Sequence, residues 1–418
     1  MATTPHRLTN PRIPLFRSLP DPHVAPDEVG DQGWSLSDLL LPTMVLRQEA
    51  LHHNIDLHAR WCAEVGVDQA PHIKTHLSPE LTRMQLEAGS WGVSTASPHQ
   101  SRFAAAVGAK RVLLAQEVVD PANIRLLAQL LNDYPDLDLM VIVDSISGVD
   151  KLSAGLREAG ALRPLGVLVE LGLAGGRTGA RTLSEFTDIA AEVKSRAELR
   201  LRGVEGYEGV LPAGRDSDVF APVDAFMDQL AAATIHLERQ NLFSDLDEVV
   251  LTAGGSVFPD RVAEMVRPHV ERTLRVVVRA GATITHDHGP RSAFAPLAPE
   301  ANHELGALEP ALELWAAVVS VPEPGLALAN FGKRDTPFDL GLPIVLEVRR
   351  NGEVIDASGI EVTDTNDQHG FLSHDRQLQV GDVLRLGPRH PCTAFDKWPL
   401  IPLINNDEHV TGAITTWF

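Results

Sequence analysis

Short apolar runs bounded by turn residues recur along the first two-thirds of the chain, near Pro71–Lys74, Trp91–Thr95, Arg111–Gln116, Leu137–Asp144, Leu165–Leu171, Leu201–Tyr207, Val249–Thr252 and Leu274–Arg279. The stretches between them are long enough for helices, and several open on good start signals. Ser78-Pro79, Ser97-Pro98 and Asp120-Pro121 each put a capping side chain before a proline at the first helical turn. Thr182-Leu183-Ser184-Glu185 reads as a capping box, and Gly89 and Gly108 stand just past the apolar periodicity as stops. Strands that alternate with helices and are apolar on both faces pair in parallel, because each crossover returns to the same end of the sheet. Eight such units predict an α/β fold, a (β/α)8 TIM-like barrel. A doubly wound open sheet is the alternative, but no Gly-x-Gly-x-x-Gly follows the first run as its dinucleotide-binding version requires.

The flanking regions have a different pattern. Residues 1–41 are irregular and proline-rich, a segment expected to pack on another part of the protein, and Arg47 to Gly66 then reads as a helix. The barrel is expected over 42–289. Beyond it, helical periodicity fades, and Leu314–Val321, Leu326–Asn330, Ile344–Arg349, Gly359–Val362, Val383–Leu386, Leu400–Ile404 and Gly412–Phe418 are strand-like runs separated by turns such as Asn351-Gly352. That predicts a C-terminal β domain over 290–418. A length of 418 residues suits two cores better than one.

Charge and cysteine content narrow the class. A formal net charge of −20 without long blocks of one sign argues against nucleic acid or an anionic membrane as partner and leaves small molecules. Cys62 and Cys392 are the only cysteines, which excludes a disulfide framework. With no apolar signal core and no membrane-length segment, the expectation is a soluble cytoplasmic protein.

In such a barrel the site is built at the C-terminal ends of the strands. The residues there are Lys74, Gln116, Asp144-Ser145, Gly175-Gly176-Arg177, Tyr207-Glu208-Gly209, Thr252 with Gly254-Gly255-Ser256, and Gly281 with Thr283. Only six lysines occur, and Lys110, Lys151, Lys194, Lys333 and Lys397 fall before a strand, in helices or in the β domain. Lys74 is therefore the lysine placed to act on a carbonyl, partly desolvated in the mouth; the simpler reading is a lysine that pairs a carboxylate. Gly254-Gly255-Ser256 with Gly281 and Thr283 recreates the place after strands seven and eight where barrels bind phosphate, although a Gly-Gly pair is commonly just a turn. A carbonyl-reactive lysine and a phosphate cradle together point to pyridoxal 5'-phosphate.

These residues resemble the fold-type III pyridoxal-phosphate enzymes, in the branch of D-serine dehydratase and D-threonine aldolase. Pro71-His72-Ile73-Lys74-Thr75-His76 resembles the cofactor-lysine motif, although Ala70 and Leu77 stand where the family usually has Arg and Lys. Val169-Glu170-Leu171 through Arg177-Thr178-Gly179 resembles the segment whose arginine lies beside the cofactor, Gly206-Tyr207-Glu208-Gly209 the sixth-strand motif, and Gly254-Gly255-Ser256 the phosphate loop. The resemblance implies an alanine-racemase-like barrel with a β domain, working as a homodimer, and Lys74, Gln116, Arg177, Tyr207, Thr252, Gly254, Gly255, Ser256 and Gly281 as cofactor-side residues. Near the C-terminus, His390-Pro391-Cys392 resembles the zinc site of D-serine dehydratase, where aldolases tend to carry His-x-Asp. Imidazole and thiolate two apart on an extended segment suit Zn2+; a packed cysteine is the plainer reading. Gln368-His369-Gly370 resembles a further family signature, His72 or His76 is a candidate for positioning Lys74, and His286-Asp287-His288 is set aside as a loop cluster.

The activity this implies is elimination of water from D-serine or a related D-β-hydroxy amino acid, giving a keto acid and ammonia, with Lys74 as the base and zinc polarising the hydroxyl. Retro-aldol cleavage to glycine and an aldehyde is the alternative on the same scaffold, and a non-catalytic cofactor carrier is the third reading. Racemisation is disfavoured because it draws its second base from a β-domain tyrosine, and the only tyrosines are Tyr134 and Tyr207.

Overall fold

The structure is a computed structural model that describes residues 16–21, 23–266, 274–374 and 378–418. It divides into two compact units, one of Ala50–Pro310 with the terminal Phe418, the other of the chain up to Glu49 with Ala311–Trp417. The boundaries drawn from sequence after 41 and after 289 thus move to 49 and 310. The reason lies in β1 (Thr43–Arg47), which pairs antiparallel with the first strand of the C-terminal region and parallel with Leu403–Ile404, so it belongs to the β unit.

The larger unit is the expected barrel. Its strands are β2 (Asp68–Gln69), β3 (Val93–Thr95), β4 (Arg111–Leu114), β5 (Asp138–Val143), β6 (Leu165–Leu171), β7 (Leu199–Gly206), β8 (Val249–Ala253) and β9 (Leu274–Val278), all paired in parallel in the order β2-β9-β8-β7-β6-β5-β4-β3. The remaining seam closes through Trp91 N–H to Gln69 O at 3.0 Å, Ser94 N–H to Pro71 O at 2.9 Å and Ser94 Oγ–H to Ala70 O at 2.8 Å. The helix signals act as their chemistry requires. Ser78, Ser97, Asp120 and Thr182 each accept a backbone N–H three residues on, Glu185 Oε2 returns to Thr182 N–H at 3.1 Å, and Gly108 ends its helix at φ 104°.

One run is displaced. The first strand is Asp68–Gln69, and Ile73–Thr75, expected as its end, is instead a single 3-10 turn. Pro71 has no N–H to continue a ladder, and the turn closes with His76 N–H and Leu77 N–H donating to Ile73 O at 3.2 and 2.8 Å.

Side-chain alternation then decides what faces inward. Outward residues such as Val112, Leu114, Val141, Val143, Val167, Val169 and Val204 pack under the helices with Phe186, Leu230 and Leu237. Inward residues Ala70, Leu113, Met140, Ile142, Leu168, Val250 and Val277 form a separate interior core. In β7 the phase is reset by a bulge. Leu201 pairs with Val167 but Gly203 with Leu168, so Arg202 is an extra residue, and Glu205 ends up beside Glu170. Gly203 permits this because a Cβ there would lie 1.8 Å from Val250 O.

The smaller unit is a ten-stranded sheet. Its other strands are β10 (Leu312–Glu323), β11 (Leu326–Ala329), β12 (Ile344–Arg350), β13 (Glu353–Ile355), β14 (Ile360–Thr365), β15 (Gly370–His374), β16 (Val383–Gly387), β17 (Leu400–Ile404) and β18 (Val410–Thr415). The proline-rich N-terminal segment contributes Leu19, Val24, Val29, Leu36 and Leu39 to a core with Val45, Trp315, Leu400, Ile404 and Val410. No described helix is long and apolar enough to cross a membrane.

Gly203→Ala is expected to destabilise the barrel by about 3 kcal/mol, because the new methyl meets backbone rather than a flexible side chain. Calorimetry should show the barrel transition about 5–10 °C lower; an unchanged transition would show that the bulge does not set the β7 register.

Candidate active site

Above the inward apolar layer the same period of two places a polar layer. Ala70 leads to His72, Ala115 to Glu117, Ile142 to Asp144, Leu168 to Glu170, Gly203 to Glu205, Val250 to Thr252 and Val277 to Arg279. Glu170, Glu205, Thr252 and Arg279 are buried. Charged groups persist there only when paired or neutralised.

The pairing is specific. Arg279 Nη2 donates to Glu205 Oε1 at 2.5 Å and Nη1 to Thr252 Oγ1 at 2.8 Å, while the Thr252 hydroxyl donates to Val277 O at 2.8 Å. Thr252 is thereby committed to orienting Arg279. Glu170 Oε1 accepts from Thr178 Oγ1 at 2.9 Å, and its carboxyl also meets that of Glu117. Glu117 Oε1 and Glu170 Oε2 are buried and find no other donor, so a protonated Glu170 has an acceptor beside it. Burial, then the neighbouring Glu205, pushes Glu170 up to about 9. Burial raises Glu205 as well, with the guanidinium of Arg279 opposing it, so the ion-paired Glu205 is the acid placed to carry charge and Glu170 the one placed to hold a proton.

Lys74 stands on the turn above this layer, exposed in the single chain, while Ile73, Thr75, His76 and Leu77 around it are buried. The expectation of a partly desolvated amine is therefore not met within this chain alone. Two histidines support the turn differently. His76 Nδ1 accepts from Ser78 N–H at 3.1 Å, so Nε2 carries the proton and donates to Gln85 Oε1 at 3.2 Å; burial keeps the ring neutral, with its pKa lowered to about 4. His72 is held well below the usual histidine range by burial and by Lys74, Arg279 and Arg177, and its Nδ1 is buried without a partner. His76 thus anchors the turn, and His72 faces the polar chamber.

The other predicted residues divide by role. Arg177 is exposed and its guanidinium lies 4.8 Å from the Tyr207 ring centre, with Arg279 at 6.0 Å. Gln116 is exposed, and its neighbour Glu117 takes the inward phase. Gly254 and Gly255 give their N–H groups to Glu208 Oε2 and Oε1 at 2.9 and 2.8 Å, so a buried carboxylate already occupies that cradle. Anion donors remain beside it, where Ala282 N–H and Ser256 Oγ lie 3.5 Å apart. Gly281 packs on the lysine turn, since a Cβ would stand 2.6 Å from His72 O and 2.8 Å from Thr75 Oγ1. An exposed amine, two guanidiniums about one aromatic face, a serine hydroxyl and a chamber of unpartnered buried polar atoms fit an anionic, ring-bearing carbonyl cofactor.

In the β unit, His390 precedes a short helical turn, Cys392–Phe395, rather than lying with Cys392 on one extended segment, because Ala394 N–H and Phe395 N–H both return to Pro391 O. His390 Nδ1 lies 2.6 Å from Asp339 Oδ2, and the ring also bonds Cys392. Against burial, which lowers it, the bonds to Cys392 and Asp339 hold the imidazole up at about 9. Among the described residues no group of three or more His, Cys, Asp or Glu has the arrangement of a metal cage. His390 and Cys392 are a two-ligand donor set of the kind that leaves positions for water or substrate. His369 is exposed in the turn before β15, and His286, at φ 33°, is buried, its pKa lowered to about 4 by burial.

Glu117, Glu170, Glu205 and Arg279 were not singled out from sequence. Their signal is a charged residue in phase with the inward positions of an otherwise apolar strand, as in Val167-Leu168-Val169-Glu170-Leu171. A folded-state pKa of about 9 against about 4.5 unfolded makes Glu170 favour folding below the lower value, a contribution lost as pH rises towards the higher. Thermal denaturation at pH 5.5 and pH 9 should show the wild type losing stability with rising pH and Glu170→Gln losing less. Equal slopes would place the proton elsewhere.

Comparison with known proteins bears on both units. Residues 311–404 match the family model described as "Putative serine dehydratase domain". A 3-hydroxy-D-aspartate aldolase of Paracoccus denitrificans is 27% identical over 371 residues, covering 87% of this chain and 89% of that protein. The crystal structure of D-threonine aldolase from Filomicrobium marinum superposes with a TM-score of 0.78 at 23% identity, covering 94% of this chain and 98% of that one. D-threo-3-hydroxyaspartate dehydratase from Delftia sp. HT23 superposes at 0.69 and 20% identity, covering 92% and 99%. The barrel with its lysine turn, the β domain and these likenesses agree: the chain has the fold of D-threonine aldolase and D-threo-3-hydroxyaspartate dehydratase, and its C-terminal unit matches the serine dehydratase domain model.

Proposed function

We propose that the protein is a pyridoxal-phosphate- and metal-dependent lyase of D-β-hydroxy amino acids, and that it dehydrates D-serine or a close analogue to a keto acid and ammonia. The lyase reading draws support from relatives named as aldolases and dehydratases. The dehydratase reading is carried by one observation, the imidazole–thiol pair of His390 and Cys392, where the family's aldolases tend to have a carboxylate. Retro-aldol cleavage is the second reading, favoured by the aldolase name of the relative at 27% identity.

The cofactor, when bound, supplies an electron sink for the charge left as the Cα–H bond breaks. Lys74 Nζ would hold the cofactor through its carbonyl and, once displaced by the substrate amine, would be the amine placed to take the Cα proton. Arg177 and Arg279 offer positive charge to the cofactor's anionic groups, and Glu205 fixes the guanidinium of Arg279. Ser256, whose hydroxyl accepts the Ala282 N–H, would receive the phosphate with that amide, while Glu208 holds the Gly254-Gly255 turn in shape. Glu170, its pKa raised to about 9 by burial and by Glu205, keeps the chamber from carrying a second uncompensated negative charge. His390 and Cys392 would hold a divalent ion, zinc by their chemistry, and that ion would supply Lewis acidity. The working form is a homodimer, as the family resemblance implies.

Incubation of the holoenzyme with D-serine, D-threonine and D-threo-3-hydroxyaspartate separates the readings. Keto acid and ammonia, lost on chelation and restored by zinc, are the expected products; glycine with an aldehyde would establish the aldolase instead. Lys74→Ala should abolish the near-ultraviolet and visible absorbance of the lysine-bound cofactor and lower turnover by at least about 10³-fold.

A further inference from the structure

Beyond the His390 and Cys392 pair, the β unit contains a built support for one of its ligands. Asp339 is 51 residues earlier in the chain, yet its Oδ2 lies 2.6 Å from His390 Nδ1. Its other oxygen, Oδ1, accepts from Thr393 Oγ1 at 2.8 Å, and that hydroxyl is itself 3.3 Å from His390 Nδ1. Both carboxylate oxygens are thus spent on the histidine and on a residue of the turn that carries Cys392.

The loop bearing Asp339 is fixed from both sides. On the N-terminal side, Asp335 Oδ2 accepts Gly332 N–H at 2.9 Å, Asp335 O accepts the indole N–H of fully buried Trp398 at 2.8 Å, and Arg17 Nη1 reaches Asp335 Oδ1 at 2.7 Å. On the C-terminal side, Gly341 at φ 114° leaves room for Arg389, whose Cδ and Nη1 would lie 3.1 Å from any Cβ there. The Asp339 side chain is 43% exposed, and the loop that presents it to His390 is anchored through Asp335.

We infer that Asp339 is the positioning residue of the metal site: by holding Nδ1 it fixes the ring orientation of His390 and leaves Nε2 as the nitrogen that binds the ion. A metal-bound histidine commonly gives its second nitrogen to a carboxylate in this way, and loss of that partner lowers metal affinity about 10–100-fold. The inference rests on the proposal that His390 and Cys392 bind a divalent ion.

The test uses full-length protein freed of metal and titrated with zinc against a chromophoric chelator, with Co2+ as the spectroscopic probe. Wild type should bind one ion per chain, and His390→Ala and Cys392→Ala should each lose it. Asp339→Asn should bind zinc about 10–100-fold more weakly while keeping the thiolate-to-cobalt charge-transfer band, and Asp339→Glu should recover part of the affinity. Unchanged zinc affinity in Asp339→Asn overturns the inference and leaves the metal site standing. A changed coordination number makes Asp339 a direct ligand, and loss of the charge-transfer band shows that Asp339 holds the Cys392 turn rather than the His390 ring; either overturns the inference. Failure of the wild type to bind, or indifference to His390→Ala, removes the metal site and the inference together.

Discussion

The alternation of side chains in a closed parallel barrel is the constraint from which the catalytic chamber follows. Once the β2–β3 seam is bonded through Trp91 and Ser94, every strand has one inward phase. That phase puts Ala70, Ala115, Ile142, Leu168, Val250 and Val277 at one level and His72, Glu117, Asp144, Glu170, Thr252 and Arg279 at the next. The lower level excludes water. The upper level must then neutralise its own charges, with the ion pair of Glu205 and Arg279 and with the raised pKa of Glu170. Glu205 joins this level only because the Arg202 bulge shifts β7 by one residue.

That arrangement explains why Lys74 is presented on a turn. A lysine on β2 itself would be fixed by the ladder, whereas Pro71 ends the strand and lets Ile73–Thr75 lift the amine above the chamber. His76, locked neutral between Ser78 and Gln85, and Gly281, which admits the turn's backbone at close range, hold it there. Glu208 has a comparable role across the mouth, bridging the two glycine amides that would otherwise be the first candidates to hold phosphate.

Much of this was legible in the sequence. Seven of the eight barrel runs, and the capping residues at Ser78, Ser97, Asp120 and Thr182, were readable because hydrophobic period and cap chemistry are local signals, whereas the first run lay past its strand, Asp68–Gln69. The exceptions are instructive. β1 was missed because its partners, in β10 and β17, lie more than 260 residues away in the chain. The bulge in β7 has no local marker beyond Gly203, so the inward phase of Glu205 could not be assigned. Gly254 and Gly255 suggested free amides, and only the folded chain brings the Glu208 carboxylate onto them. The chemistry of His390 and Cys392 was readable as a donor pair, but not the contribution of Asp339, which arrives from a distant loop.

The claim on which the account rests is that Lys74 is the residue that binds the cofactor carbonyl. Borohydride reduction of the holoenzyme, followed by proteolysis and mass spectrometry, tests it directly. The account predicts a pyridoxyl phosphate adduct on the peptide containing Lys74 and on no other lysine; an adduct on a different lysine, or none, would contradict it.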